Sequence, residues 1–110
     1  MITKNYKENR SFIEKNQFFK YLTPSQKDKL ASIALNQRFE KNSDICKEGE
    51  LAASMYILKS GKLGRFKGGD FQGHILKGDS FEEYASLTKG SLRRETIRVV
   101  EEAEVMALGV

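Results

Sequence analysis

The pattern of apolar and polar positions divides the chain into a helical front and a β-rich remainder. Apolar residues recur at helical spacing over Pro24–Asn36, which predicts an α-helix there. We expect Thr23 to cap this helix, because its side-chain oxygen can accept from a first-turn N–H while Gln26 completes a capping box. A similar pattern at Ser11 predicts a shorter helix or helical turn, and an earlier stretch around Lys4–Arg10 is a further helical candidate.

After Asn36 the chain has the pattern of a β-protein. Short apolar runs alternate with Gly, Asn, Asp and Ser roughly every eight to twelve residues, which is typical of an all-β barrel or sandwich. Turns are predicted at Gly68-Gly69 and at Ser60-Gly61-Lys62, and one or two helical turns are predicted within Phe81–Leu87. The candidate strands are Gln37–Glu40, Asp44–Lys47, Ser54–Leu58, Lys62–Lys67, Gly73–Lys77, Thr96–Val100 and Glu104–Leu108.

The composition is that of one folded, soluble domain. The 110 residues are 39% hydrophobic and 31% charged, with one proline, which argues against a disordered tail. No run approaches the roughly 18–20 apolar residues that span a membrane, and the N-terminus lacks the apolar core of a signal peptide. Cys46 is the single cysteine, so it forms no internal disulfide and builds no zinc site alone. We therefore expect a cytoplasmic protein.

The net charge of +4 is concentrated in the front part of the chain. Residues 1–30 carry seven basic and three acidic side chains, whereas residues 71–110 carry five basic and seven acidic ones. A nucleic-acid-binding surface would gather its basic excess on one face, with aromatic or helix-end partners. A solvated helical face explains the Lys-rich front more simply, so no nucleic-acid partner is expected.

We do not expect these residues to form an enzyme active site. His74 is the single histidine, so it would have to serve every role in a nucleophile–base set. The segment Gly61-Lys62-Leu63-Gly64 lacks the spacing of a P-loop. The carboxylate pairs Glu82-Glu83 and Glu101-Glu102 are sequence neighbours, which point to opposite faces in a strand and make poor acid–base couples.

Several short motifs follow one another in order through the β-rich part. They read Ile45-x-x-Glu48-Gly49-Glu50, Met55-Tyr56-Ile57-Leu58-x-x-Gly61-x-Leu63, Leu76-x-Gly78-Asp79-x-Phe81-x-Glu83-x-Ala85, Arg93-x-x-Thr96-Ile97 and Glu104-Val105-Met106-Ala107-Leu108. No single piece is specific, but the ordered set resembles the cyclic nucleotide-binding domain family over roughly residues 18–110. That family holds a phosphate-binding cassette of the form F-G-E-[IL]-A-L…P-R-x-x-[ST]-V. The leader, residues 6–13, further resembles the linker between tandem cyclic nucleotide domains of protist cGMP-dependent protein kinases.

The resemblance implies a mainly β fold, an eight-stranded jelly-roll barrel with flanking helices. It implies an N-terminal helical linker segment over residues 1–22 and a barrel domain over residues 23–110 that stops before its C-terminal lid helices. The implied function is that of a non-catalytic regulatory module, which binds cGMP or cAMP and transmits binding to a kinase domain outside this chain. The expected partners are that kinase domain and neighbouring cyclic nucleotide-binding domains of the same parent, a Ser/Thr protein kinase.

The resemblance also assigns site residues. A cyclic phosphate is a monoanion that needs backbone N–H donors and a guanidinium, and the ribose 2′-hydroxyl suits a carboxylate acceptor. Glu83 takes the ribose position, Arg93 takes the phosphate position, and the N–H groups of Tyr84 and Ala85 complete the anion cradle.

Two further residues are assigned near the purine base. Thr96 lies on the strand of the cassette, from which it would approach the purine. Arg94 occupies the position where cGMP-selective members often carry a Thr or Ser hydroxyl. The choice of Arg93 over Arg94 for the phosphate depends on where the one extra residue of this cassette loop is inserted.

The cassette departs from the family pattern at several positions. Glu82 stands where the family has a glycine, which permits unusual φ values, and it adds a negative charge beside the phosphate site. Ser86 replaces an apolar residue and Leu92 replaces a proline. Upstream, Ala52 and Ala53 replace a glycine and an acid, so that turn is expected to change shape.

Two alternatives stay open, and the departures favour the first of them. The first is a degenerate domain that binds no nucleotide and serves as a structural or docking module. The second is a metal pair of Cys46 and His74, since relatives of the barrel include haem-sensing regulators, although a buried small hydrophobe is the simpler role for Cys46. No cofactor is expected, and the ligand that the resemblance implies is cGMP or cAMP.

Overall fold

The structure, a computed structural model, describes residues 2–86 and 90–109, with the side chains of residues 85 and 86 left out. The predicted end of the cassette helix at Leu87 therefore lies outside the described residues. In chain order the elements are β1 (Ile2–Thr3), α1 (Tyr6–Lys15), a 3₁₀ helix (Gln17–Phe19), α2 (Pro24–Ile33), β2 (Leu35–Phe39), β3 (Asp44–Cys46), β4 (Ser54–Lys67), β5 (Asp70–Ile75), β6 (Ser80–Phe81), a second 3₁₀ helix (Glu83–Ser86) and β7 (Thr96–Gly109).

The front of the chain forms one helix where two shorter pieces were predicted. Asn5 caps α1, and its Oδ1 accepts from the N–H of Glu8 at 3.2 Å. Ser11 lies inside α1, so the prediction of a separate helix start there is wrong, whereas the earlier helical candidate is confirmed. The Ser11 pattern is misleading because a sequence that can cap a helix can also lie inside a helix that began earlier in the chain.

The second helix confirms the predicted capping box. Thr23 Oγ1 accepts from the N–H of Gln26 at 3.2 Å, and Gln26 Oε1 accepts from the N–H of Thr23 at 2.9 Å. The helix ends at Ile33, three residues before the predicted end. It ends there because Ala34 takes an extended conformation with ψ of 137° and Leu35 begins to pair with β7.

Two long strands, β4 and β7, form the centre of the sheet. The strand order is β1-β2-β7-β4-β5, with β3 paired to β7 and β6 paired to β4, and every pairing is antiparallel. Each long strand covers a region that the sequence pattern predicted as two strands. The seven strands of the described residues therefore agree approximately with the expected eight-stranded barrel.

Gly61 is a bulge inside β4, and the turn predicted at that position is wrong. The pairing of β4 with β7 shifts register between Leu58 and Leu63. Gly61 has a φ of +89°, and a Cβ there would lie 2.2 Å from the backbone oxygen of Glu102. The bend thus depends on close approach of two backbones, which only glycine permits. The hairpin predicted at Gly68-Gly69 is confirmed, since both residues have positive φ between β4 and β5.

Replacing Gly61 with alanine is expected to lower the free energy of unfolding by at least about 2 kcal/mol, through the positive φ and the backbone clash. Gly68 is the matched control, because it also has a positive φ but no atom within 4 Å of a Cβ. Gly68→Ala should cost only about 1 kcal/mol. Urea unfolding of both variants checks the difference, and equal costs would contradict the assignment of a bulge.

The sheet buries apolar residues on both faces. Alternate residues of a strand point to opposite faces, so Leu58 and Val105 join one core cluster while Ile57 and Met106 join the other. The first cluster lies within the curved sheet, and the second is shared with α1 and α2. None of the helices in the described part of the chain is long and apolar enough to cross a membrane.

Candidate functional site

An open groove of about 1120 Å³ runs along the cassette, which is large enough for a small-molecule ligand. It is bounded by the junction of α1 with the first 3₁₀ helix, by β4 and β5, and by the segment from Lys77 to Tyr84. Asn16 joins the helical front to this segment, since its Nδ2 donates to the Gly78 carbonyl at 3.0 Å. We call this space the cassette groove. Its charged lining is mixed, with Lys15, Arg65, Lys67, Lys77 and Arg94 against Asp79, Glu82, Glu83 and Glu95.

The second 3₁₀ helix carries three of the predicted site residues. Glu83 is its first residue and lines the groove, and its Oε2 accepts from the Ser80 hydroxyl at 3.0 Å. Tyr84 also lines the groove, and the backbone of Ala85 continues the same helix. The helical turns predicted in the cassette are therefore confirmed over Glu83–Ser86.

The two adjacent arginines lie in different surroundings. Arg94 is exposed and lines the groove, with its guanidinium carbon 4.5 Å from the centre of the Tyr84 ring. Its backbone N–H donates to the Tyr84 hydroxyl at 2.9 Å. Arg93 is buried and is not among the groove-lining residues that the structure describes. The exposed Arg94 and the half-buried Tyr84 thus form a cation–π pair in the groove.

The Arg93 guanidinium donates hydrogen bonds to two residues of β4. Its Nη1 donates to the Ser54 carbonyl at 2.9 Å, and its Nη2 donates to the Tyr56 hydroxyl at 3.3 Å. The Arg93 backbone pairs with the upstream turn, through its N–H to the Glu50 carbonyl and its carbonyl to the Gly49 N–H. The sequence pattern places Tyr56 in a predicted strand and gives it no role in the site. Its hydroxyl, in a strand of apolar neighbours, was the available signal of a buried polar partner.

Glu82 brings a carboxyl group against Arg93. Its φ is +62°, so it keeps the left-handed conformation that glycine adopts without strain. Glu82 is 5% exposed, and its Oε2 lies 3.8 Å from Arg93 Nη1. Neither carboxyl oxygen accepts a hydrogen bond from the described residues. Burial raises the pKa of Glu82 to about 7, against the lowering effect of Arg93.

Cys46 and Tyr56 complete this buried cluster. Burial raises the pKa of each side chain to about 12, so both are neutral around pH 7. The Cys46 thiol packs in the core within the sheet, whereas His74 contacts the Leu63 carbonyl and the Phe71 ring. Among the described residues, no group of three or more His, Cys, Asp or Glu side chains could hold a metal ion.

Thr96 begins β7, as predicted, but its hydroxyl serves another contact. Thr96 Oγ1 accepts from the N–H of Glu48 at 3.1 Å, and Glu48 Oε1 accepts from the N–H of Gly68 at 2.9 Å. Thr96 is not among the described residues that line the groove. In the upstream turn, Ala52 donates its N–H to the Ser91 carbonyl at 2.8 Å and has no positive φ.

Comparisons with known proteins find similar sequences over most of the chain. The family model described as "Cyclic nucleotide-binding domain" matches residues 36–109, more than half of the chain. A cGMP-dependent protein kinase of Toxoplasma gondii is 36% identical over 107 residues, which are 97% of this chain and 11% of that protein. A cAMP-dependent protein kinase regulatory subunit of Hypocrea atroviridis is 30% identical over 90% of this chain and 21% of that protein.

The fold has a counterpart among solved structures. The structure of cAMP bound PfPKA-R (141-441) superposes with a TM-score of 0.84 and 26% identity, over 94% of this chain and 36% of that chain. This chain therefore spans a minor part of each of these proteins.

Proposed function

This chain belongs to the cyclic nucleotide-binding domain family, and from that premise we propose that its cassette groove binds a cyclic purine nucleotide, cGMP or cAMP. The observation that carries the proposal is the shared wall of the groove. Glu82, Glu83 and Tyr84 line it, and Glu82 Oε2 lies 3.8 Å from Nη1 of the buried Arg93. The comparisons do not favour a module that binds no nucleotide.

Each residue has one role in this proposal. Arg93 pairs with the cyclic phosphate, because a guanidinium offers charge-assisted, paired donors. The N–H groups of Tyr84 and Ala85 supply further donors, and the Glu83 carboxylate accepts from the ribose 2′-hydroxyl. Arg94 is the better-placed contact for the purine, because it lines the groove, whereas Thr96 is not among the described lining residues.

The proposed biological role is regulation of a protein kinase. The relatives are a cGMP-dependent protein kinase and a cAMP-dependent protein kinase regulatory subunit, each much longer than this chain. The ligand would act by population shift, through its differential affinity for two arrangements of the domain. The proposed partners are a kinase domain and neighbouring cyclic nucleotide-binding domains in the same parent, in the cytoplasm.

Titration calorimetry with cGMP and cAMP at pH 6 tests the proposal. We expect saturable one-to-one binding in the protein. Arg38→Ala is the matched control, because Arg38 is an exposed arginine that pairs with Glu102 and does not line the groove. It should bind like the unmodified protein. Absence of binding at millimolar concentrations of both nucleotides would contradict the proposed function.

The ribose contact is testable separately. Glu83→Ala is expected to weaken cGMP binding by about tenfold or more, because a hydrogen bond to a charged group contributes about 1.5–3 kcal/mol. The analogue 2′-deoxy-cGMP should show a similar loss with the unmodified protein and little further loss with the variant. Equal effects of the deoxy ligand on both proteins would show that Glu83 does not contact the ribose.

A further inference from the structure

The position of Glu82 is unusual for a carboxyl group. Its side chain is 2% exposed, and no described residue donates a hydrogen bond to either oxygen. A buried carboxylate without donors is costly unless a cation compensates it or a proton neutralises it. The neighbouring cation is Arg93, whose Nη1 lies 3.8 Å from Glu82 Oε2.

Glu82 also separates Arg93 from the groove. Glu82 lines the groove and contacts Arg93, whereas Arg93 is not part of the described lining. The guanidinium donates hydrogen bonds to the Ser54 carbonyl and the Tyr56 hydroxyl, both on β4. An anion that enters the groove therefore meets the Glu82 carboxyl before it reaches Arg93.

We propose that Glu82 is a proton-operated gate on Arg93, so that a cyclic nucleotide gains the Arg93 contact only together with a proton on Glu82. This inference rests on the proposed function of the groove. An ionised Glu82 competes for the guanidinium and repels the cyclic phosphate. A protonated Glu82 releases the guanidinium and becomes a neutral donor that a phosphate oxygen can accept from.

The surrounding charges suit a gate that works near neutral pH. Burial is the main cause that raises the pKa of Glu82 to about 7. The positive charges of Arg93 and Arg65 lower the pKa of Glu82. The negative charges of Glu95 and Glu83 raise it. Two further groups belong to this cluster, the buried Cys46 on β3 and the half-buried Tyr56 on β4, and both are neutral in this range. A phosphodiester stays a monoanion throughout, so its arrival would raise the pKa of Glu82 further.

Coupling of this kind is reciprocal. If protons tighten nucleotide binding, nucleotide binding must take up protons. The proton-linked loss of affinity follows from the fraction of Glu82 that is protonated. With a midpoint near 7, that fraction falls about tenfold between pH 6 and pH 8.

The test is calorimetric titration of the protein with cGMP at pH 6 and pH 8, in buffers of different ionisation enthalpy. We expect affinity about tenfold weaker at pH 8 and net proton uptake on binding near pH 7. Glu82→Gln should bind equally at both pH values, at least as tightly as the unmodified protein at pH 6. Glu102→Gln, an exposed carboxyl away from the groove, should keep the tenfold pH effect.

The gate and the proposed function fail in different ways. Binding that is equal at both pH values, or a pH effect that survives in Glu82→Gln, would overturn the gate and leave the proposed function standing. No binding by either protein at either pH would overturn both. A carboxyl ¹³C titration of the ligand-free protein is independent of binding. A Glu82 midpoint near 7 supports the gate, and a midpoint near the ordinary 4.5 overturns it.

Discussion

Replacing Arg93 with alanine is expected to weaken cGMP binding about 100-fold and to lower the free energy of unfolding by about 3 kcal/mol at pH 8. The binding loss follows from removal of the charge-assisted phosphate contact. The stability loss has a separate cause, because Glu82 then remains buried without its cation, while the Tyr56 hydroxyl and Ser54 carbonyl lose a donor. Titration calorimetry and urea unfolding measure the two effects.

Two companion variants keep this prediction testable. Arg93→Lys keeps a positive charge beside Glu82, so the protein should fold, but it lacks the paired donors of arginine and should bind about tenfold more weakly. Arg94→Ala removes the neighbouring, exposed arginine and should leave the free energy of unfolding within about 0.5 kcal/mol. If Arg94→Ala abolished binding while Arg93→Lys bound normally, the phosphate would be assigned to Arg94.

The second large effect concerns stability as a function of pH. The pKa of Glu82 is raised from the ordinary 4.5 to about 7 in the folded protein. The unfolded chain thus loses this proton near pH 4.5, whereas the folded protein keeps it until about pH 7. Glu82 therefore contributes stability at low pH that is lost as the pH rises through this window. The loss amounts to about 3 kcal/mol by pH 8.

The difference between the unmodified protein and Glu82→Gln isolates this contribution. Urea unfolding from pH 4 to pH 8 should show the variant gaining about 3 kcal/mol relative to the unmodified protein. Glu82→Gly should remove the same pH dependence. It should also raise the free energy of unfolding by about 1 kcal/mol, because glycine adopts the positive φ without strain. A difference that stays constant across this range would mean that Glu82 has the same pKa in the folded protein as in the unfolded chain.

Much of the fold was predictable because it depends on local rules. The capping box of Thr23 and Gln26 and the Gly68-Gly69 hairpin involve residues close in sequence, and both are confirmed. The nature of Gly61 was not predictable in this way. A glycine between polar residues resembles a turn, and only the close approach of the Glu102 carbonyl from β7 makes it a bulge.

Some features of the candidate site were likewise predictable from sequence, whereas its contacts between distant segments were not. The family resemblance implied roles for Glu83 and Tyr84, and the structure brings both to the groove. The contacts that control the site join distant segments, such as the Thr96 hydroxyl with the Glu48 amide and Arg93 with Ser54. The sequence indicates that Glu82 adds charge near the phosphate. Its contact with Arg93 depends on a backbone and side-chain conformation that no local pattern specifies.

The most direct measurement is a crystal structure of the protein grown with cGMP at pH 6. Our account predicts the cyclic phosphate within hydrogen-bonding distance of the Arg93 guanidinium, with the Glu82 carboxyl displaced from its present contact at 3.8 Å. The ribose 2′-hydroxyl should lie against Glu83. A nucleotide bound elsewhere, with the Glu82–Arg93 contact intact, would contradict the account.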